Sequence, residues 1–419
     1  MAWGLSRPFI IERTHGVRAM LINRFAVVLV GCGLAARVGA QTLPSEPVTL
    51  ASGRVVVSAD AAASMAPVDR GYFNYSDYDH STLRELRLGV TTSVRATDRI
   101  SVLGEVRADN LNRLSAFALY ARIRPFTNRR FDLQIGRIPP TFGAFTRRAY
   151  GNDNPLIGYP LAYQYLTSLR PDAIPASADE LLRMRARGWR SKFTVGNPAE
   201  DRGVPLVTAF NWDTGVQANV SWQAVTMTAA VTNGSASNPR VLDDNDGKQI
   251  AARVSVRPAT GMVLGSSFAR GEFLSRSVLD SITPENHDTF TQRAYGADAE
   301  YSRDHWLVRG DLVVSQWELP VPVSGPSLML RAVATSVEGR YTFMPGFYGA
   351  ARVEHLGFNR ITATAGRLPW EAAVSRVEVG GGYYLQRNLV ARVSVQRNER
   401  QAGRVRQNRL LAAQLLYWF

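Results

Sequence analysis

The 419-residue chain has almost no cysteine, almost no lysine and no long apolar run beyond its first forty residues. Its one thiol, Cys32, excludes a disulfide framework and a cysteine metal site from everything downstream. Only Lys192 and Lys248 are lysines, against 47 arginines; such a bias follows genomic composition as readily as function, so an arginine here does not by itself mark a bidentate site. No stretch of about 18 apolar residues follows the N-terminus, so spanning helices are out. His80, His287, His305 and His355 stand apart, which argues against a histidine metal centre. There is no Gly-x-Ser-x-Gly elbow, and a lone His355 on a strand is no catalytic pattern, so no enzyme and no cofactor is expected.

What is present begins with an export signal. Met20 to Arg24 supplies a short basic start, Phe25 to Ala36 an apolar centre, and Val38-Gly39-Ala40 a small-residue cleavage pattern before Gln41. Residues 1–40 therefore read as a signal peptide, with Met20 beginning a better-proportioned one than Met1. Leu29-Val30-Gly31-Cys32 offers a second, lipoprotein-type cleavage box, and either reading exports the chain.

Apolar residues make up 45% of the sequence, yet the mean hydropathy is only -0.13, as expected where hydrophobicity is alternated rather than concentrated. From residue 54 onward the alternation is explicit. Leu86, Leu88, Val90, Thr92 and Val94 share one side of a strand, with Arg87, Gly89, Thr91, Ser93 and Arg95 on the other. Val216, Ala218, Val220 and Trp222 likewise alternate with Gln217, Asn219 and Ser221.

Such segments recur at about 54–64, 82–96, 99–110, 114–124, 131–138, 215–223, 225–233, 248–259, 261–273, 292–303, 305–318, 329–343, 347–358, 374–386, 389–400 and 409–419. Sixteen is even, as closure requires of a single-chain barrel with both ends on one side. Every second connection is short, for example Gln223-Ala224 and Pro345-Gly346, while most of the others are long, as at 139–214 and 359–373. The expectation is an all-β, closed antiparallel transmembrane β-barrel over 54–419. It is preceded by a short periplasmic segment, 41–53, and has one long inward-folding loop, 139–214. Aromatics such as Trp222, Tyr301, Trp306, Tyr341, Phe347 and Tyr383 fall near strand ends on outward faces, where amphipathic rings meet lipid headgroups.

A sixteen-stranded barrel is wide enough for an aqueous channel unless something fills it, and loop 139–214 is long enough to fold inward. Its basic run, Arg183, Arg185, Arg187 and Arg190 with Lys192, together with Arg147 and Arg148, supplies the pore-constriction candidates. The lumen face is expected to carry Arg87, Arg95, Arg107, Arg122, Arg124, Arg253, Arg257, Arg309, Arg340, Arg352, Arg376 and Arg392. With them are Asp60, Glu105, Asp109, Asp132, Asp298, Glu300, Asp311, Glu338, Glu354 and Glu378. These nearly balance, so the wall alone would select ion sign weakly; rings of charge at a constriction could do more. Cross-strand pairing that merely keeps the lumen wet is the simpler reading for any one arginine.

The formal charge of +14 falls to about +10 without residues 1–40, which hold five arginines and one glutamate. Arginines scattered along strands, with no basic helix, do not suit nucleic acid. An anion-favouring lumen and loops that contact lipopolysaccharide phosphates, such as those bearing Arg397, Arg400, Arg404, Arg406 and Arg409, explain the charge better.

The ending Leu415-Leu416-Tyr417-Trp418-Phe419 resembles the terminal aromatic strand by which bacterial outer-membrane barrels are recognised for insertion. In such a strand Phe419, Tyr417 and Leu415 should face lipid, and Gln414 the lumen. The stretch Gln134 to Gly143 (QIGRIPPTFG) runs a strand into a Pro-Phe-Gly corner and then a long loop. With Asp213 to Ala218 (DTGVQA), Val231 to Gly234 (VTNG), Asp244 to Ile250 (DNDGKQI) and Arg253 to Pro258 (RVSVRP), it resembles the bacterial phosphate-selective porins. That resemblance implies a homotrimeric outer-membrane porin for passive diffusion of small hydrophilic or anionic solutes. The group's Arg and Lys ladders would have to be built from arginine alone here. A non-conducting barrel acting as an adhesin or structural protein is the alternative, with Tyr72, Phe73, Tyr75 and Tyr78 in a loop suited to contacts.

Overall fold

A computed structural model describes residues 44–419 apart from 76–80, 129, 146–150, 244–246, 283–289 and 323–324. The signal-peptide reading, Tyr78, His80, His287, Arg147 and Arg148 lie outside the described residues. Sixteen strands form one closed antiparallel sheet. They are β1 (Val55–Met65), β2 (Leu86–Arg95), β3 (Ile100–Asp109), β4 (Arg113–Ile123), β5 (Phe131–Ile138), β6 (Asp213–Trp222), β7 (Val225–Thr232) and β8 (Gln249–Val256). The second half comprises β9 (Met262–Glu272), β10 (Thr291–Arg303), β11 (Trp306–Val321), β12 (Gly325–Met344), β13 (Phe347–Phe358), β14 (Val374–Gln386), β15 (Leu389–Arg400) and β16 (Gln407–Trp418).

Each strand pairs with its chain neighbour, and β1 pairs with β16 from Asp60↔Trp418 to Met65↔Ala413, so no edge remains open along that seam. Below it, where β16 has ended, the short strand Val48–Leu50 folds back on Val55–Val57. Phe419 exchanges both backbone hydrogen bonds with Ala59 at 3.1 and 3.0 Å.

The alternation explains the wall. On β13, Ala351, Val353 and His355 point out and are exposed, while Ala350, Arg352, Glu354 and Leu356 point in and are buried. Outward Val90, Val106, Val220, Leu312, Val377 and Val395 make an apolar belt. Gly136 is required in β5: its φ is 129°, and a Cβ there would run into the Leu119 carbonyl across the strand pair.

Strands β11 and β12, of 16 and 20 residues, exceed the length a bilayer needs and extend past the expected ends at 318 and 329. Pro320, Pro322 and Pro326 read as a loop in the sequence. The backbone stays extended through Val321 because inward Trp317, Leu319 and Val321 bury against a core inside the long-loop half of the barrel. That core includes Phe142, Tyr163, Leu169, Phe193, Leu206 and Trp370. Each fully buried large apolar side chain contributes about 1.5–3 kcal/mol, so the loop is held by packing as well as by polar contacts. Short helices lie at Leu161–Gln164, Ala178–Arg183 and Arg276–Ile282.

The candidate pore and its inward loop

Loop 139–212 leaves β5 and enters the lumen. Thr141 donates to Gln217 on β6 (2.7 Å) and the Gly143 amide donates to Ser267 on β9 (3.0 Å), which seats the root of the loop against that side. The segment 151–161 lies against the opposite arc. There wall arginines donate to its backbone carbonyls: Arg392 to Gly151 (2.7 Å), Arg309 to Asp153 (3.2 Å), Arg352 to Gly158 (2.7 Å) and Arg376 to Tyr159 (3.0 Å). Tyr348 donates to the carbonyl of Pro155 (3.1 Å), and Arg87 donates to the Tyr159 hydroxyl (2.7 Å). Wall carboxylates take the amides: Glu378 from Gly158 (3.0 Å) and Glu354 from Leu161 (2.7 Å).

Arg352 is the centre of this arc. Its guanidinium reaches Glu338 at 3.1 Å, Glu354 at 3.2 Å and Glu378 at 2.7 Å, all buried. Its five donors in a planar fork suit three carboxylates and a carbonyl at once, which an ammonium could not match. Gly158 is placed so closely that a Cβ would collide with Gln396 and Glu378.

Several of the remaining wall charges are also partnered. Arg107 pairs with Glu105 at 2.5 Å and lies 3.4 Å over the Phe117 ring. Arg122 and Arg124 share Asp132 at 3.0 and 2.9 Å, and Arg253 holds Asp298 through two bonds of 2.6 and 2.8 Å. Arg340 lies 5.8 Å from the Tyr348 ring centroid, and Asp311 lines a small cavity with Pro160, Tyr163 and Glu354. Arg95 is exposed at the short-turn end of β2, and Arg257 lies one residue past β8.

The basic run of the loop lies elsewhere. Arg183 ends the helix Ala178–Arg183, whose Asp179 caps the Thr364 amide and hydroxyl in the loop between β13 and β14. Ala186 donates to Glu371 of that same loop, at 2.5 Å. Arg183, Arg187 and Arg190 are exposed, Arg190 paired with Glu200, and Arg185 is half-buried. These residues therefore belong to the long-loop rim, whereas Arg87, Arg107, Arg352, Arg376 and Arg392 stand inside.

Two acids fix this rim. Fully buried Glu371 accepts amides of Ser168, Ala186 and Ala372, and burial pushes its carboxyl above the usual range despite these donors. Burial would also raise Asp172, but hydrogen bonds from Arg170 and Asn197 hold it below the usual range.

Two further cavities lie toward the ends of the barrel. One of about 480 Å3 opens at the short-turn end, lined by Asp60, Thr91, Asn152, Asp153 and Asn388. Another of about 530 Å3 opens at the long-loop end, lined by Asp109, Arg137, Gln164, Phe210 and Asn211. They share no lining residue. On β1 to β3, Asp60, Gly89 and Arg107 are cross-strand partners, and so are Ala62, Arg87 and Asp109. Arg107 is thus level with Asp60 of one cavity and Arg87 level with Asp109 of the other; each arginine is 7% exposed, and Arg87 also lies 3.5 Å from Asp60.

Leu415 is 47% exposed on the outer face, with Tyr417 and Phe419 half-buried on the same side, whereas Gln414 accepts from Arg392 and donates to Ser64 inside. The inward face of β16 is greasier than a watery lumen requires. Leu410 packs with Leu83 and Ile157, and Leu416 with Leu156 and Ala62, because the loop fills this side. His355 points outward and contacts Ser375 at 3.0 Å, remote from the lumen.

The chain is thus a closed sixteen-stranded antiparallel barrel with an apolar outer face, a charged interior and a long loop folded inside. No family model and no curated protein matches the sequence. Among solved structures, the fold is similar to an anion-selective porin from Comamonas acidovorans (8% identity, TM-score 0.54, covering 87% of this chain and 99% of that one). It is similar also to Salmonella typhi OmpF in complex with daunomycin (11%, 0.53, 87% and 97%). A loop-deletion mutant of OmpT, an outer membrane protein of Vibrio cholerae, gives 12%, 0.53, 87% and 99%. At these identities the likeness is one of fold.

Proposed function

We propose that the protein is an outer-membrane channel for passive diffusion of small hydrophilic solutes, narrow and with a preference for anions, phosphate among them. The observation that carries this reading is the pair of cavities at opposite ends of the barrel, with buried Arg87 and Arg107 on β2 and β3 level with an acid of each. A passage there would run between the wall and Tyr159 of the loop, and two guanidinium groups at its narrowest part would favour a negative solute. Arg183, Arg185, Arg187 and Arg190 on the outer rim would raise the local anion concentration at the entrance. Lipopolysaccharide and lipid would surround the barrel.

Homotrimer formation is supported by a gap in the aromatic girdle. Trp222, Tyr301, Trp306, Phe343, Phe347 and Tyr383 are exposed near the short-turn end of β6 and β10 to β14, whereas β1 to β3 carry aliphatic Val55, Val94, Ile100 and Val102 there. A surface that meets another subunit has no use for headgroup-level rings.

Conductance in planar bilayers is the test. Small unitary steps are expected, with a reversal potential on the anion side in a salt gradient, moving toward zero when Arg183, Arg185 and Arg187 are replaced by alanine. An unchanged potential in that variant would remove the rim arginines from the pathway. Folded protein that never conducts would overturn the channel and leave the adhesin or structural reading, which the dense packing of the loop favours.

A further inference from the structure

The outer wall carries a feature that neither the lumen nor the loop explains. Arg270 on β9 and Arg293 on β10 are direct cross-strand partners; Arg293 is opposite Gln316 on β11, and Gln316 is opposite Arg331 on β12. All four share the outward parity of the sheet, since Ala269, Gln292, Ser315 and Ala332 beside them are buried on the inner face. The three arginines are exposed, and among the described residues none of their guanidinium groups has an ion-pair or hydrogen-bond partner. Of the acids nearest along these strands, Glu272, two residues past Arg270, is buried, and Glu318 accepts from Ser327 at 3.2 Å.

Like charges directly opposite one another destabilise a sheet, so an uncompensated Arg270–Arg293 pair with Arg331 two strands away calls for an anion. Height says which kind. Below Arg293 the outward residues are Tyr295, Ala297, Ala299 and Tyr301; below Arg331 they are Val333, Thr335, Val337, Gly339 and Tyr341. Arg293 is eight residues from Tyr301 and Arg331 ten from Tyr341. At roughly 3.3 Å per residue and a strand tilt of roughly 40°, that is about 20–25 Å, close to the height of the apolar band of such barrels. The row therefore lies one hydrocarbon thickness above the short-turn aromatic girdle, where that band ends.

We propose that Arg270, Arg293 and Arg331 form a binding site for the phosphate of an outer-leaflet lipid headgroup, such as that of lipopolysaccharide, against β9 to β12. This rests on the outer-membrane placement proposed above. Planar guanidinium forks on neighbouring strands match tetrahedral phosphate oxygens, and a lipid supplies that phosphate at this height without leaving the bilayer. The site is separate from the loop arginines near residues 397–409.

The test uses the full folded barrel, its fold and insertion verified independently by heat-modifiable migration after transfer to vesicles that lack lipopolysaccharide. Failure there would count against membrane placement, not against the site. Titration with purified lipopolysaccharide should raise the thermal unfolding midpoint of the native chain. A triple variant, R270Q/R293Q/R331Q, should fold equally but bind on the order of tenfold or more weakly, whereas R303Q/R387Q, at exposed positions of the short-turn end, should retain native affinity. Dephosphorylated lipopolysaccharide should lose the effect, and inorganic phosphate at equal concentration should not reproduce it. Native affinity in the triple variant, equal loss in R303Q/R387Q, or full replacement by inorganic phosphate would each overturn the proposal.

Discussion

Replacing Arg352 by alanine should release the loop from the wall. Its guanidinium is fully buried and makes four contacts: to Glu338, Glu354, Glu378 and the Gly158 carbonyl. Truncation would leave three carboxylates close together with little water, since the side chains of Glu338, Glu354 and Glu378 are 9%, 1% and 0% exposed. Breaking a buried pair by removing one partner costs about 3–5 kcal/mol. Here Arg376 stands only 4.0 Å from Glu354 and compensates in part, so the lower end of that range is expected. Because Glu354 and Glu378 also hold the amides of Leu161 and Gly158, the loss should fall first on the loop and only then on the barrel. Two readouts follow: faster protease cleavage within residues 151–165 of the folded protein, and a larger, noisier unitary conductance. Arg352→Lys should lie between, keeping the charge without the fork. An alanine variant whose loop cleavage, unfolding midpoint and conductance all match the native protein would refute the network as the anchor.

Gly158→Ala should reproduce much of that loop release with every charge intact, because its Cβ would displace Gln396 and Glu378; cleavage rates would report it. The carboxyl of Asp172 is held down in the folded state, so its contribution is full above the ordinary carboxylate pKa and lost as pH falls through the lowered value. Cleavage around residues 170–201 should therefore rise below about pH 4 in the native chain, and Asp172→Asn should flatten that dependence. Deleting Phe419 removes both backbone bonds to Ala59 and should lower the yield of heat-modifiable, closed barrel; an unchanged yield would deny those bonds a role in closure.

The wall was legible in the sequence because lipid and lumen impose opposite chemistry on alternate residues, so parity survives even with little sequence likeness to draw on. All sixteen expected strands are present. The interior was less legible. Charge density along the chain singled out Arg183 to Arg190, yet those residues stand at the rim beside Glu371 and Thr364, and the anchors Arg352 and Arg376 come one per strand from distant positions. Alternation reports which way a side chain points but not its height or what meets it. Leu410 and Leu416 likewise point inward and are apolar because a loop more than 250 residues away covers them. The short strand Val48–Leu50 and the tall β11–β12 hairpin were hidden by glycine and proline that normally mark loops.

The seam between β1 and β16 has a kinetic consequence. Its partners, such as Ala61 and Tyr417, are among the most distant in the chain, so their pairing bears the largest loop-closure entropy and should form late. Until then β1 and β16 present unpaired backbone that could zip onto another unfinished chain. The aromatic last residue and the folded-back strand at 48–50 then act together as a clasp, and how quickly that clasp shuts would govern how much of the nascent protein is lost to aggregation rather than inserted.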